Sequence, residues 1–411
     1  MADGDSGSEP AHDCLSCFTI DASDIETRAR AGTLRTRRGA VATPAFMPVG
    51  TQAAVKALSP DEVRATGAEI LLANTYHLML RPGIDIVRAA GGLHEFMAWD
   101  GPILTDSGGF QVYSLAERHD VSEAGVRFRS HLDGSTWDLS PESSLGLQLG
   151  FGSDVIMPLD DVVGYPSTPD EQERATSRTH RWLARTVRRF QQFEEQSDGA
   201  RPLLFGIAQG GFSPQERRAS VRFVAEQPVD GLAIGGLSVG EPKELMQELL
   251  GASVEPAPAD RPRYMMGVGS PEDLWAGVAA GVDLFDCVHP TRVARRGGLF
   301  TRAGRVNITA SRFRSEFRPI EDDCDCATCR TFTIAYLHHL FHARELLAYR
   351  LASIHNLRFV QREMARMRNG IRAGTFASDM RAFLGGYHTA DRDAAELQRS
   401  RLREARQRAG S

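Results

Sequence analysis

Lysine is almost missing from this chain: of its 48 basic residues only Lys56 and Lys243 are lysine, and the rest are arginine. Arginine enrichment has two readings, genome composition or a preference for planar, bidentate contacts with phosphate and carboxylate. A formal net charge of -5 excludes a protein coated in positive charge, so any polyanion must be met by a local patch. No apolar run reaches the roughly 18 residues that a membrane span needs. The segment Met1 to Asp13 lacks the basic-then-apolar order of a secretory signal and is acidic and rich in Gly and Ser. Residues 1–17 are therefore expected to be a disordered leader on a cytoplasmic protein. No Gly-x-Gly-x-x-Gly opens a helix after the first strand, which argues against a dinucleotide-binding doubly wound sheet. Cysteines are few, and Cys324, Cys326 and Cys329 lie too close together for an extracellular disulfide framework. Metal binding explains that spacing better. Cys14 and Cys17 also have ligand spacing, but no further pair of ligands accompanies them, and chance is the better reading.

With 42% apolar and 25% charged residues, the 411-residue chain can bury a large core, as two domains or as one large barrel. A repeat decides between them. Apolar, β-prone runs end in a polar residue or glycine and are followed by amphipathic stretches. The runs are Pro44 to Val49, Glu69 to Asn74, Pro102 to Asp106, Asp154 to Asp160, Leu203 to Gln209, Gly231 to Gly236, Tyr264 to Gly267 and Val282 to Asp286. Helices are expected over Pro60 to Thr66, Pro141 to Leu149, Pro169 to Glu195, Pro214 to Glu226, Pro242 to Leu250 and Pro271 to Ala280. Several open with a Ser-Pro cap followed by acids, as at Ser59-Pro60-Asp61-Glu62. Eight such units predict an α/β fold, a (β/α)8 TIM barrel. Phe18 to Gly39 reads as a hairpin or cap, and Val126 to Leu139 as a hairpin inserted after the third strand, turning at Asp133-Gly134. The expected domain is 18–388, with a zinc-binding subdomain at about 301–360 and a charged tail at 389–411. Phe332 to Arg372 should be helical.

Barrel chemistry sits where the strands end. Those ends carry Asn74, Asp106, Asp160, Gln209, Gly235-Gly236, Met266-Gly267 and Asp286. Any single one could merely cap the next helix; a whole ring of them points to a pocket. Asp160 and Gln209 could match the hydrogen-bonding edge of a guanine-like base. Asp106 and Asp286 fit displacement at an anomeric carbon, one carboxylate attacking and the other managing protons. Three thiolates plus one imidazole make a closed zinc site, with His338, His339, His342 and His355 all candidates for the fourth ligand. Arg292, Arg295, Arg296, Arg302, Arg305, Arg312, Arg314 and Arg318 form a basic strip suited to a phosphate backbone, the plain alternative being a solvated face.

The motifs Asp106-Ser107-Gly108-Gly109-Phe110-Gln111, Gln209-Gly210-Gly211, Gly235-Gly236-Leu237, Phe285-Asp286-Cys287-Val288, Pro290-Thr291-Arg292 and Cys-x-Cys-x-x-Cys occur in this order. Together they resemble the queuine tRNA-ribosyltransferases, or tRNA-guanine transglycosylases, from about Phe18 to about Tyr387. The resemblance implies a zinc-bearing barrel that exchanges the wobble guanine of tRNAs with GUN anticodons for a 7-deazaguanine base, in queuosine biosynthesis. It implies Asp286 as nucleophile, Asp106 as proton acceptor, and Asn74 as the residue orienting the ribose. It implies base recognition by Asp160, Gln209, Gly236 and Leu237, with Met266 and Phe110 enclosing the ring and Gly267 beside them. Arg292, Arg295 and Arg296 match contacts to the anticodon loop, and Cys324, Cys326, Cys329 and His355 match the ligands of one structural Zn2+. Leu237-Ser238 with Glu241 resembles the family's substrate switch. The family is usually homodimeric. Val162 resembles eukaryotic members and Val239 bacterial ones; Ala294 to Thr301 looks bacterial, which favours 7-aminomethyl-7-deazaguanine as incoming base. Direct queuine insertion is the alternative, and a non-catalytic, zinc-dependent tRNA-binding subunit is the alternative of another class.

Overall fold

In the computed structural model, which describes residues 17–115, 119–196 and 199–388, the expected apolar runs become one parallel sheet. Its strands are Ala45–Met47, Val49–Gly50, Leu71–Ala73, Ile103–Thr105, Val155–Ile156, Leu203–Ala208, Gly231–Ile234, Arg263–Met265 and Leu284–Asp286. Nine segments stand where eight runs were expected, because Pro48 has no N–H to donate and interrupts the first run. The part before Pro48 pairs with the last strand, Asp286 opposite Met47, and the part after it pairs with the second, Val49 opposite Leu72. This divided strand nearly closes the ring into a (β/α)8 barrel.

Alternation along the strands builds two cores. Leu203, Phe205 and Ile207 point inward, where they meet Met47, Leu72, Leu104, Met157, Ala233, Tyr264 and Leu284. Leu204 and Ala208 point outward, with Leu232, Ile234, Met265 and Phe285, against the helices. Those helices begin as expected. Ser59 and Thr168 form capping boxes with Glu62 and Glu171, and Ser213 and Ser270 accept the N–H groups of Glu216 and Asp273.

Residues 18–43 form three antiparallel strands rather than a hairpin, Phe18–Ser23, Arg30–Thr36 and Gly39–Thr43. This sheet closes the bottom of the barrel: Phe18, Leu34 and Val41 join the inner core. Its arginines reach aspartates at the strand starts, Arg30 Nη2 to Asp283 Oδ2 at 2.6 Å and Arg37 Nε to Asp154 Oδ1 at 2.9 Å. Both aspartates also accept a backbone N–H from a neighbouring strand, Asp154 from Ile103 and Asp283 from Arg263. Breaking a buried pair of this kind costs about 3–5 kcal/mol.

The inserted hairpin forms with Phe128 opposite Trp137, and a third strand, His119–Val121, extends it. Four helices of seven residues or fewer, Thr75–Leu80, Ile84–Ala89, Leu93–Met97 and Gly109–Leu115, were not expected; each is too short to display helical periodicity. The helical region after Phe332 is two helices, Ile334–Ala343 and Leu346–Ala373, separated at Arg344 with φ of 58°. The second packs on the barrel as its last helix, Gln361 Nε2 donating to Phe46 O at 2.9 Å. Among the described residues no helix is long and apolar enough to cross a membrane. The expected charged tail, Cys14 and nearly all of the expected leader lie outside the described residues.

Candidate active site and metal centre

Every strand-end residue singled out above lies at the same end of the barrel, because parallel strands finish on one face. Asp286 closes the last strand and is half-buried. Its Oδ1 accepts the Tyr264 hydroxyl at 2.6 Å and the Gly267 N–H at 2.8 Å, while its Oδ2 takes no hydrogen bond from the described residues. Burial raises its pKa, and these two donors oppose the shift. Tyr264 projects from the barrel interior, where burial and the Asp286 charge hold its phenol well above its usual range, so it acts as a donor. Tyr264 was not anticipated as a site residue; an aromatic residue inside an apolar run looks like core.

Asp106 follows the strand Ile103–Thr105 and is buried, 7% exposed. Its carboxylate accepts the Asn74 side-chain amide and, at 2.8 Å, the Thr75 N–H. Burial, helped by the charge of Asp286, pushes its pKa up to about 6, against the pull of these donors. The charge of Asp286 thus reaches Asp106 across the pocket, a condition that separates proton-handling roles.

Asp160 is also buried, and burial pushes its pKa up to about 6. Ser107 Oγ donates to its Oδ1 at 3.1 Å and Gln209 Nε2 to its Oδ2 at 2.8 Å. Gly236, at φ of 64°, lies so near Gln209 that a Cβ there would meet its Oε1 at 2.3 Å. Leu237 is buried behind it. Glu241 accepts the Ser238 N–H at 2.5 Å and the Val239 N–H at 2.9 Å, an arrangement that turns the Leu237 carbonyl the other way. An open cleft of ≈ 380 Å³, lined by Gly109, Asp160, Val162 and Val239 among others, adjoins these groups. Phe110 is 46% exposed and Met266 half-buried, so both keep a face available.

Asp160 supplies a pH prediction. If Asp160 reads a guanine-like base, as expected from the sequence, its protonation replaces an acceptor by a donor at the base edge, and guanine binding should weaken as pH falls through about 6. The KM for guanine, measured from pH 8 to pH 5, is expected to rise about tenfold per unit below that point. A flat KM would remove Asp160 from base recognition.

Arg292 and Arg296 are exposed on and just beyond the helix His289–Ala294 that follows Asp286. Arg295 is half-buried, and its buried Nη1 has no hydrogen-bond partner among the described residues. The rest of the strip is exposed as well, although three of its members already have neighbours: Arg302 faces Asp323 at 3.9 Å, Arg318 pairs with Glu316 at 3.1 Å and Arg312 lies over the Phe313 ring.

The structure brings Cys324, Cys326, Cys329 and His355 together, all buried, with ligand atoms within 4.8 Å of one another. His355 Nδ1 lies 3.8, 3.8 and 3.3 Å from the three sulfurs. A tetrahedral zinc with ordinary bond lengths would separate nitrogen and sulfur by about 3.6 Å. His355 Nε2 faces the Phe300 carbonyl at 2.7 Å, which places the proton there and leaves Nδ1 for a metal. His338 instead meets the Ile308 carbonyl through Nδ1. The cluster is a structural metal site by its donors and its closure.

The family model for queuine tRNA-ribosyltransferase matches residues 24–389. The queuine tRNA-ribosyltransferase of Dictyoglomus turgidum is 50% identical over 376 residues, 92% of this chain and 96% of that protein. That of Symbiobacterium thermophilum is 50% identical over 377 residues, 92% of this chain and 93% of that protein. That of Herpetosiphon aurantiacus is 49% identical over 383 residues, 93% and 95% respectively. Fold, site and these relatives define a pentosyltransferase that acts on tRNA. The chain belongs to the queuine tRNA-ribosyltransferase family and is a tRNA-guanine transglycosylase of the bacterial type.

Proposed function

We propose that this enzyme exchanges the wobble guanine of tRNAs with GUN anticodons for 7-aminomethyl-7-deazaguanine by double displacement on Asp286. The observation that carries the reading is the Asp286 carboxylate, anchored through Oδ1 by Tyr264 and Gly267 with Oδ2 left to react. Oδ2 attacks the ribose anomeric carbon; the C1′–N9 bond breaks and its electron pair leaves on guanine, which takes a proton from solvent water in the open cleft. Asp106, with its pKa near 6, then accepts the N9 proton of the incoming base, whose nitrogen attacks C1′ and releases Asp286. Asn74 holds Asp106 in position. Asp160, Gln209 and the backbone of Gly236 and Leu237 read the base, and Phe110 and Met266 cover its faces. The Leu237 carbonyl supports the aminomethyl base, since an ammonium group needs an acceptor there.

Labelled guanine should enter tRNA in the presence of wild-type enzyme, and unlabelled tRNA would reject exchange. In competition, the aminomethyl base should displace guanine better than queuine does, because Val239, the residue that resembles bacterial members, fills cleft wall that a cyclopentenediol would need. Queuine winning would reverse that assignment.

The anticodon loop is assigned to Arg292, Arg295 and Arg296, and one Zn2+ to the Cys3His cluster, which would pin residues 301–360 onto a single catalytic domain at 18–388. Once bound, the metal supplies structure and no chemistry. A homodimer is supported by large apolar side chains left in solvent, Phe317, 80% exposed, and Leu346, 79% exposed. Sedimentation at micromolar concentration tests it, a monomer being the adverse result. A cytoplasmic location, where tRNA is modified, completes the reading.

A further inference from the structure

Arg217 is fully buried, yet among the described residues no carboxylate lies within ion-pair distance of it. Burial lowers its pKa to about 10, so it stays charged near neutral pH. The charge of Glu241 supports the guanidinium only from beyond ion-pair distance, and a buried guanidinium without a direct partner is expensive unless its donors are met. They are met by main-chain carbonyls alone: Nε to Gly211 O at 2.8 Å, Nη1 to Gly235 O at 2.5 Å and Nη2 to Gly236 O at 2.9 Å. All three belong to the two glycine motifs of the base pocket.

The consequence follows from the planarity of the trans peptide, in which C=O and N–H point in opposite directions. Holding the carbonyls of Gly235 and Gly236 turns the N–H groups of Gly236 and Leu237 to the side away from Arg217. Glu241 acts on the next two peptides in the opposite sense, taking the N–H groups of Ser238 and Val239. The pocket segment is thereby divided into a donor half and an acceptor half by one buried cation and one anion. On the same helix, Pro214–Ala225, Ser220 Oγ accepts the Gln209 N–H at 3.1 Å and is itself bonded to His180 Nε2 at 2.8 Å. Gln209 and the glycine segment are thus referenced to one rigid element.

We propose that Arg217 is a positioning residue that fixes the Gly236 and Leu237 N–H groups as the donor pair for the 6-oxo group of the base, and so sets purine specificity. The inference rests on the base-recognition reading above. The test compares guanine with two analogues in the exchange assay with tRNA: 6-thioguanine, which keeps the N1–H and the 2-amino group but replaces the oxo acceptor with sulfur, and hypoxanthine, which keeps the oxo group and lacks the amino group read by Asp160. In Arg217→Met, the preference for guanine over 6-thioguanine should fall about tenfold, the value of roughly one net hydrogen bond, while the preference over hypoxanthine holds. General loosening of the pocket would lower both preferences together and overturn the proposal, as would an unchanged 6-thioguanine ratio. Arg217→Lys, which keeps the charge but reaches only part of the three carbonyls, serves if the methionine variant does not melt as a folded protein; it should show an intermediate ratio, and a wild-type ratio would overturn the proposal. Wild-type enzyme that shows no preference among the three bases would reject the base-recognition reading itself, and this inference with it.

Discussion

Asp286→Asn is expected to reduce guanine exchange by at least about 10⁴-fold and to abolish the covalent tRNA adduct. Asparagine retains the shape of the side chain and an Oδ1 that can accept from Tyr264 and Gly267, so the pocket should stay intact. What is lost is the anionic Oδ2, the atom assigned to attack C1′. Burial opposes ionisation of Asp286, so removing its charge should not destabilise the fold. The measurement is tRNA retained on the protein in a denaturing gel, alongside incorporation of labelled guanine and a melting curve. An adduct equally abundant in the variant would move the nucleophile elsewhere. Asp106→Asn separates the two carboxylates: a variant unable to deprotonate the incoming base should still form adduct but stall before completing exchange. If Asp106→Asn abolishes the adduct as fully as Asp286→Asn, the division of roles is wrong.

The barrel could be read from sequence because each strand is a short apolar run with a polar residue at its end, and several of the helices between them, such as Pro169–Glu194, Pro214–Ala225 and Pro271–Ala280, open with a proline after a serine or threonine cap. Asp106, Asp160, Gln209 and Asp286 stood out for the same reason. Elements too short to show a period did not, among them Thr75–Leu80 and His119–Val121. Arg217 sits in Glu216-Arg217-Arg218, a charged triplet that reads as solvated surface, yet it is wholly buried while Arg218 meets Glu255 on the outside. Nothing local distinguishes the two arginines; only the helix phase against the glycine turns does. Tyr264 hides differently, as an interior residue whose hydroxyl alone reaches the site. The cysteine spacing announced a metal, and several histidines competed on spacing alone; the family resemblance pointed to His355, which the fold places against all three sulfurs. Site geometry supports the base-exchange assignment over a glycoside hydrolase, since two carboxylates alone would not require the glycine segment and its donor half.

Loss of the metal should have the second large effect, and its reach depends on the helix that carries His355. Cys326→Ser is expected to lower zinc content to near zero and to reduce the melting temperature by about 10 °C or more, structural zinc sites being worth many kcal/mol to the segments they close. The damage should spread along Leu346–Ala373. Asn356, the residue after His355, donates to the carbonyls of Pro290 and Gly298, both at 3.0 Å, and accepts the Phe300 N–H at 3.0 Å. Pro290 belongs to the helix that holds Arg292, so the metal, the long helix and the basic face form one mechanical chain. Among the described residues the long helix meets the barrel at Phe46, on the strand Ala45–Met47, whereas Asp160, Gln209 and the Gly235-Gly236 segment are held by Ser107, by one another and by the helix Pro214–Ala225. Zinc loss should therefore raise the KM for tRNA far more than the KM for guanine. Metal analysis with both KM values decides the matter: equal increases would mean that the cluster stabilises the whole barrel, and an unchanged tRNA KM would mean that Arg292, Arg295 and Arg296 keep their places without it.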